Sequence, residues 1–220
     1  TASCQSETSP GRGPEPAAVS IPLEQAPLEQ AKAALRRELR ALRRTRAPAE
    51  RAPAGAAAAR HLEPVLGRLP GGPVALFLAL PEEIDTGPAL AVVAAAGRSV
   101  LLPRQEGRDR PLAFHAWRPG DPLLPGPFRV LEPVALAPRL VPRVVVAPLL
   151  AFDAAGRRLG HGAGYYDRTL RALRAVAPAP YVLGLAFAFQ EVAEVPAGPA
   201  DERLDGVLTE AGFRACGGLG

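Results

Sequence analysis

The sequence predicts a three-layer α/β fold of the Rossmann-like type, in which a mostly parallel central sheet carries helices on both faces. Short apolar runs bounded by proline and glycine recur along the chain, as is typical of strands buried in a parallel sheet. Segments with helical periodicity separate several of these runs, which favours parallel neighbouring strands with helices packed above and below. The 220 residues suffice for one domain with a sizeable core but are few for two.

The chain begins with a segment that lacks any structural period. Residues 1–26 are rich in Pro, Ser and Gly and are predicted to form a disordered tail, which leaves residues 27–220 as the single domain. Apolar residues recur at helical spacing from Leu28, and Pro48 ends or kinks this first helix. A second helix is predicted over residues 48–66.

Beyond the second helix, strands and helices alternate. A helix is predicted over residues 87–96, and another begins at Tyr165 and runs to Val176. The long Pro- and Gly-rich stretch over 118–142 is predicted to be irregular, a common location for a substrate loop. The predicted strands, of which the third is a candidate edge strand, are 73–80, 99–103, 111–117, 143–150, 181–188 and 204–209.

The composition narrows the classes of partner. A formal net charge of +4 and a pI near 9.7 indicate an anionic partner. The charges form no basic–aromatic ladder and aromatic residues make up only 5% of the chain, so a small phosphorylated or polycarboxylate molecule explains the excess as well as nucleic acid does. No apolar run approaches the roughly 18 residues that span a bilayer, so no membrane association is predicted.

The cysteines indicate a cytoplasmic setting. Cys4 and Cys216 lie near opposite ends of the chain and have neither a metal-binding spacing nor a disulfide framework. Residues 1–16 lack the charged start and the apolar stretch of a signal peptide. The three histidines are scattered, which argues against a zinc site.

The most informative stretch is LAFDAAGRRLGHGAGYYDRTL, residues 150–170. It follows the clearest buried strand and enters a helix, which is where open α/β sheets bind ligands. Backbone N–H groups and the helix dipole favour phosphate at such a position, and glycines let the backbone come close to the phosphate. A tight turn without a ligand would also explain the glycines. The spacing is that of neither a Walker P-loop nor a dinucleotide fingerprint. Asp167 beside a phosphate favours a cation between the two, which indicates Mg²⁺.

The run from Phe152 to Asp167, F-D-x-x-G-x-R-L-G-x-G-x-G-Y-Y-D, is similar to the signature of 5-formyltetrahydrofolate cyclo-ligases, also called methenyltetrahydrofolate synthetases. The resemblance extends over roughly residues 32–209. It implies a monomeric enzyme that uses ATP and Mg²⁺ to convert 5-formyltetrahydrofolate to 5,10-methenyltetrahydrofolate. Other stretches that agree in order are KAALRREL (32–39), FLALPEEIDT (77–86), LLPR (101–104) and GPFRVLEP (126–133).

The reaction implied by the resemblance begins with phosphorylation of the formyl oxygen by the γ-phosphate of ATP, because a formamide oxygen is a poor leaving group. N10 of the folate then attacks the formyl carbon, the ring closes, and ADP and phosphate are released. The protein contributes positioning and charge neutralisation, as in other phosphoryl transfers.

The same resemblance assigns the nucleotide contacts. Lys32 and Arg36, one turn apart on the first helix, reach the ATP phosphates from one face. Arg158 binds phosphate and is catalytic, and Tyr166, between nucleotide and folate, is the second catalytic residue. The other loop residues implied in nucleotide binding are Leu159, Gly160, Gly162, Gly164 and Tyr165.

Folate and metal ligands also follow from the resemblance. Glu83 matches a glutamate that binds the pterin, where a carboxylate can accept a pair of N–H donors, and Leu78 packs on the pterin ring. Asp167 and Asp205 match the Mg²⁺ ligands. His161 is implied in substrate binding.

The chain departs from the family pattern at three positions. His161 and Ala163 occupy variable positions of the glycine loop where some relatives carry Arg and Lys, which leaves His161 as a neutral or pH-dependent substitute. Ala200 precedes Asp201 where the pattern has a histidine.

Three alternatives to the folate enzyme stay open. The nearest is a cyclo-ligase-like paralogue that binds nucleotide but acts in another pathway, for example a thiamine-related one. The second is a sugar-phosphate isomerase on a similar sheet, in which Lys32 and Arg36 would have no obvious role. The third is a nucleic-acid-binding module, which only the pI and the arginine-rich helix support. The joint presence of Glu83, Arg158 and Asp167 favours the active enzyme.

Overall fold

A computed structural model of the chain describes residues 27–45, 48–127 and 130–216. The predicted tail, residues 1–26, lies outside the described residues. None of the helices within these ranges has the length and apolar character needed to cross a membrane. The helices are α1 (Leu28–Arg44), α2 (Pro48–Leu66), α3 (Gly87–Ala95) and α4 (Tyr165–Arg174).

The strands form one large sheet and two small hairpins. The strands of the large sheet are β1 (Val74–Ala75), β2 (Val100–Arg104), β3 (Ala113–Ala116), β6 (Val144–Ala147), β9 (Tyr181–Leu185), β10 (Gly206–Thr209) and β11 (Gly212–Ala215). The hairpins are β4 (Leu123–Pro125) with β5 (Leu131–Pro133), and β7 (Ala151–Phe152) with β8 (Arg158–Leu159).

The large sheet has the order β11-β10-β9-β6-β1-β2-β3. Its inner pairs are all parallel, whereas β11 and β3 join the two edges antiparallel. The prediction of a mostly parallel sheet, with the segment around β3 at an edge, is therefore confirmed.

Two buried clusters cover the two faces of this sheet. Side chains alternate between faces along a strand, so Val144 and Val146 of β6 pack with α2 and α3 in one cluster. Val145, between them, packs on the other face with Leu170 of α4. The predicted three-layer arrangement, with helices on both faces, is confirmed.

The loop after β1 is where sequence and structure differ most. The apolar run 73–80 predicts one long strand, but β1 ends at Ala75, and Leu76 makes one further backbone hydrogen bond to the Leu101 carbonyl. The following residues leave the sheet. An apolar run specifies burial without specifying pairing, and here the run is buried partly as a loop.

A half-buried phenol at the start of β9, beside β10, has a titration that affects stability. Tyr181 Oη donates to the Asp205 carbonyl at 2.9 Å, and burial raises the pKa of Tyr181 to about 12, with the charges of Asp205 and Cys216 adding to the effect. Because the folded chain holds this proton more tightly than the unfolded chain, the stability from the neutral phenol is complete below about pH 10. It is lost as the pH rises towards 12.

We therefore expect Tyr181→Phe to lower the free energy of unfolding by about 1 kcal/mol at pH 8, the usual contribution of one hydrogen bond. The difference between variant and wild type should shrink between pH 10 and 12. Urea unfolding monitored by circular dichroism at several pH values measures it. A difference that stays constant up to pH 11.5 would contradict this assignment.

Candidate functional site

A cleft of about 660 Å³ lies at the carboxyl-terminal edge of the parallel strands. Its volume falls within the range of roughly 300–1,000 Å³ that is usual for small-molecule sites. The loop after β1, Pro148 after β6, the glycine loop after β8 and the start of α4 form most of its wall, and one face of α1 completes it. The predicted glycine loop is therefore part of a ligand-sized cleft.

Helix α1 lies beside the glycine loop because its apolar side packs on the β7–β8 hairpin. Leu35 and Leu39 are buried against Leu159 in this contact. On the adjoining face, Arg36 Nε donates to the Gly160 carbonyl at 3.1 Å and Arg40 Nη2 donates to the His161 carbonyl at 2.9 Å. The helix thus places a row of cations along the loop.

Lys32, the single lysine of the chain, is buried one turn before Arg36. Its Nζ lies 2.7 Å and 3.0 Å from the two carboxylate oxygens of Asp201, and 3.5 Å from the exposed Glu29 carboxylate. Lys32, Arg36 and Asp201 all line the cleft. Lys32 and Arg36, which are predicted to contact the same phosphates, therefore lie on one wall of the cleft.

Arg158 is the buried cation behind the glycine loop, and only 2% of its side chain is exposed. Its Nη2 donates to Asp167 Oδ1 at 2.7 Å and its Nη1 donates to the Pro148 carbonyl at 3.2 Å. The guanidinium carbon also lies 5.8 Å from the centre of the Tyr166 ring. Nε is buried and has no hydrogen-bond partner among the described residues, so this cation keeps one unused donor.

The backbone of the glycine loop is open to an anion. Gly162 has a φ of 107° and Gly164 a φ of 69°, both in the left-handed region that favours glycine. A Cβ on Gly160 would lie 3.0 Å from Arg158 Nη1, so this position leaves little room for a side chain. The first N–H groups of α4 follow directly and have no partner within their helix. Such a loop and helix start suit a phosphate group.

Glu83, Tyr166 and Leu78 also line the cleft. Glu83 is buried, and its Oε1 lies 3.0 Å from His161 Nε2 while its Oε2 accepts the Leu80 N–H at 2.9 Å.

The Tyr166 hydroxyl is buried and unpaired within the described part of the chain. Burial raises the pKa of this phenol, and the Glu83 charge raises it further while Arg158 opposes both, so the hydroxyl keeps its proton and remains a donor.

Arg43 supports Glu83 from behind and was not among the residues expected in the site. Its Nε donates to the Glu82 carbonyl at 2.9 Å, and its Nη2 lies 3.7 Å from Glu83 Oε1. Burial lowers the pKa of Arg43, and the Glu83 charge opposes this shift. Arg43 follows Leu35 and Leu39 at the same four-residue spacing, a signal that places it on the buried side of α1.

The structure does not bring Asp167 and Asp205, the two predicted Mg²⁺ ligands, to the same cleft. Asp205 Oδ2 accepts the Val182 N–H at 2.7 Å and lies 3.2 Å from Arg174 Nη2, at the end of α4. Asp167 lies in the first turn of the same helix, seven residues earlier, or about 10 Å along the helix axis. Asp205 does not line the cleft. Its carboxylate instead holds the start of β9 to the end of α4.

Asp201 is the acidic residue that reaches the cleft in its place. The backbone N–H of Glu202 donates to Asp167 Oδ1 at 3.3 Å, so the segment that carries Asp201 adjoins Asp167. The described residues contain no cluster of three or more His, Cys, Asp or Glu side chains suited to a metal. The two carboxylates fit Mg²⁺ held partly by a ligand's phosphates, since this ion commonly takes one or two carboxylates together with phosphate oxygens.

The cleft thus unites most of the residues selected from the sequence. Asp205 is the exception among them. The selected residues that line the cleft are Lys32, Arg36, Leu78, Glu83, Arg158, Leu159, Gly160, His161, Gly162, Gly164, Tyr165, Tyr166 and Asp167.

Known proteins with a similar fold are methenyltetrahydrofolate synthetases. The structure of the 5,10-methenyltetrahydrofolate synthetase from Aquifex aeolicus superposes with a TM-score of 0.67 and 27% identity, covering 84% of this chain and 92% of that one. The corresponding Mycoplasma pneumoniae protein superposes with a TM-score of 0.64, covering 81% and 98% of the two chains. Its 20% identity supports the fold alone.

Curated relatives agree over the same region. The 5-formyltetrahydrofolate cyclo-ligase of Escherichia coli K12 is 33% identical over 141 residues, which are 62% of this chain and 76% of the relative. That of Mycolicibacterium smegmatis is 33% identical over 153 residues, 64% of this chain and 75% of the relative. The family model for the 5-formyltetrahydrofolate cyclo-ligase family matches residues 28–210. The chain therefore belongs to this family of enzymes.

Proposed function

We propose that this chain catalyses the ATP- and Mg²⁺-dependent cyclisation of 5-formyltetrahydrofolate to 5,10-methenyltetrahydrofolate, with release of ADP and phosphate. The observation that carries the proposal is the arrangement of the cleft. A glycine loop lined by cations and a buried carboxylate, Glu83, border one cleft of about 660 Å³. The enzyme is proposed to act as a cytoplasmic monomer without a nucleic-acid partner.

The nucleotide half of the cleft is proposed to comprise α1 and the glycine loop. Lys32 and Arg36 face the phosphates from the helix, and Arg158 supports the loop from beneath. Backbone N–H groups of the loop and of the first turn of α4 donate to the phosphate oxygens, as is usual where a helix begins beside a bound phosphate. Tyr165 and Tyr166 separate this half from the folate.

Mg²⁺ is proposed to be held by Asp167 and Asp201 together with phosphate oxygens. When bound, the ion neutralises negative charge on the phosphates during transfer. Asp201 is paired with Lys32 and Asp167 with Arg158, so both carboxylates are oriented before a ligand enters.

The folate half is proposed to centre on Glu83. Its carboxylate accepts N–H groups of the pterin in the plane of the ring, while Leu78 packs against the ring face. Arg43 and the Leu80 N–H fix the carboxylate in place. His161, within hydrogen-bond distance of Glu83, joins this half of the cleft to the glycine loop.

The protein's contribution to the chemistry is positional and electrostatic. The formyl oxygen forms a bond to the γ-phosphorus as the bond to ADP breaks. N10 then bonds to the formyl carbon and loses its proton to the departing phosphate, which leaves with the former formyl oxygen. Arg158 stabilises the charge that develops during transfer, and the protonated Tyr166 hydroxyl donates to an oxygen between the two ligands.

The direct test mixes the protein with ATP, Mg²⁺ and 5-formyltetrahydrofolate and follows the absorbance of the methenyl product. We expect product to form only when all three are present, at a rate within the usual range of about 1–10³ per second for enzymes. Matched reactions without Mg²⁺, or with ADP in place of ATP, should form no product. ATP binding without any absorbance change would instead favour a paralogue that acts in another pathway.

A further inference from the structure

The glycine loop itself carries little positive charge. Between Arg158 and Arg168 the sequence is LGHGAGYYD, with one histidine as the only basic side chain and with Asp167 as an acid. A loop that faces a nucleotide polyphosphate must offset several negative charges. Backbone N–H groups contribute partial charges only, so full cations must come from elements that pack against the loop.

Arg168, in the first turn of α4, folds back onto this loop. Its Nη2 donates to the Ala163 carbonyl at 2.9 Å and to the Arg108 carbonyl at 3.1 Å. Its guanidinium carbon lies 5.2 Å from the centre of the Tyr165 ring. A Cβ on Gly164 would lie only 2.7 Å from Nη1. The guanidinium is therefore held at a fixed position against the loop, and Arg168 lines the cleft.

The charge of Arg168 is not neutralised by a carboxylate. Within the described residues, Arg158 pairs with Asp167 and Lys32 pairs with Asp201, whereas no ion pair involves Arg168. Its Nε is also buried and has no hydrogen-bond partner among these residues. A cation that is held in place by two carbonyls, and that pairs with no carboxylate among the described residues, is suited to an incoming anion.

We propose that Arg168 is a nucleotide-binding residue that contacts the polyphosphate of ATP and adds a cation from α4 to those that α1 and Arg158 place beside the glycine loop. This inference rests on the proposed function, since it takes ATP as the ligand of the loop. Tyr165 and the Ala163 carbonyl position the guanidinium, and the phosphate oxygens accept from its free N–H groups. A folate carboxylate is a second anion that could reach the same cleft, but Arg168 lies beside Gly164 in the half assigned to phosphate.

The test measures Mg·ATP and 5-formyltetrahydrofolate affinities by calorimetry for wild type, Arg168→Ala and Arg168→Gln. We expect both variants to bind Mg·ATP about tenfold more weakly, the effect of losing one charge-assisted hydrogen bond, with folate affinity changed less than twofold. The glutamine variant keeps most of the side chain's packing. Thermal unfolding of each variant establishes that it is folded.

A double variant that moves the positive charge from position 168 to position 163 provides the positive control. Adding Ala163→Lys to Arg168→Ala returns a cation to the exposed loop position next to the guanidinium, and we expect it to restore most of the lost ATP affinity. Arg60→Ala, which removes an exposed charge outside the cleft, should bind ATP as wild type does. It controls for the change in net charge.

The outcomes separate this inference from the proposed function. Wild-type ATP affinity in folded Arg168→Ala and Arg168→Gln would overturn the role of Arg168 while leaving the proposed function intact. A loss confined to the folate would overturn it as well, and would assign the guanidinium to a folate carboxylate. Absence of ATP binding by the wild-type protein would overturn both.

Discussion

Replacing Arg158 by alanine is expected to lower kcat/KM by at least about 10³, the scale on which arginines stabilise phosphoryl-transfer transition states. The guanidinium is almost fully buried and lies between Asp167, the Pro148 carbonyl and the Tyr166 ring. Its removal takes away the cation behind the loop and leaves the Asp167 carboxylate without its partner. Steady-state formation of the methenyl product measures the effect.

The neighbouring arginine is the matched control. Arg157 also pairs with a buried aspartate, its Nε lying 2.6 Å from Asp153 Oδ2, but it does not line the cleft. Arg157→Ala should lower the free energy of unfolding while changing ATP affinity less than twofold. Arg158→Lys, which keeps the charge but loses the two-pronged geometry, should recover only part of the activity.

The result that would contradict this role is specific. If Arg158→Ala unfolds at the same urea concentration as wild type and binds Mg·ATP equally well by calorimetry, Arg158 is not part of the nucleotide site. If the alanine variant does not fold, Arg158→Lys still tests the role. A lysine variant with full kcat/KM would show that the charge suffices without the guanidinium geometry.

The glycine loop could be predicted from the sequence because its geometry is local. A buried strand, glycines that allow positive φ and a following helix fix the path of the backbone within a few residues. Lys32 and Arg36 were predictable for the same reason, since helical spacing sets their common face. That α1 and the glycine loop meet in one cleft was predicted only by the family resemblance, because the contact between Arg36 and the Gly160 carbonyl spans 124 positions of sequence.

Local sequence pattern does not distinguish the roles of the two aspartates near the C-terminus. Asp201 and Asp205 lie four residues apart in an irregular segment, and only the path of the chain decides which one turns towards α1. Lys32 is 169 residues away from Asp201 in sequence, so no local pattern reports their contact. The β7–β8 hairpin escaped prediction for a related reason, because strands of two residues have no detectable period.

We expect Asp201→Asn to reduce kcat/KM by at least about a hundredfold, because it weakens the binding of an Mg²⁺ ion whose charge stabilisation is worth several kcal/mol in such reactions. The Mg²⁺ concentration needed for half-maximal activity should also rise. Asp205→Asn should leave both quantities near wild type.

Asp205→Asn is nevertheless expected to lower the free energy of unfolding by about 1 kcal/mol, because Asp205 Oδ2 accepts from the Val182 N–H and pairs with Arg174. Titrating Mg²⁺ at saturating ATP and measuring urea unfolding for both variants separates a metal ligand from a structural carboxylate. An Asp205→Asn variant with raised Mg²⁺ requirement and an unaffected Asp201→Asn variant would restore the original pairing. The opposite result places the metal in the cleft, where Lys32 and Arg158 already hold the two acids that face the phosphates.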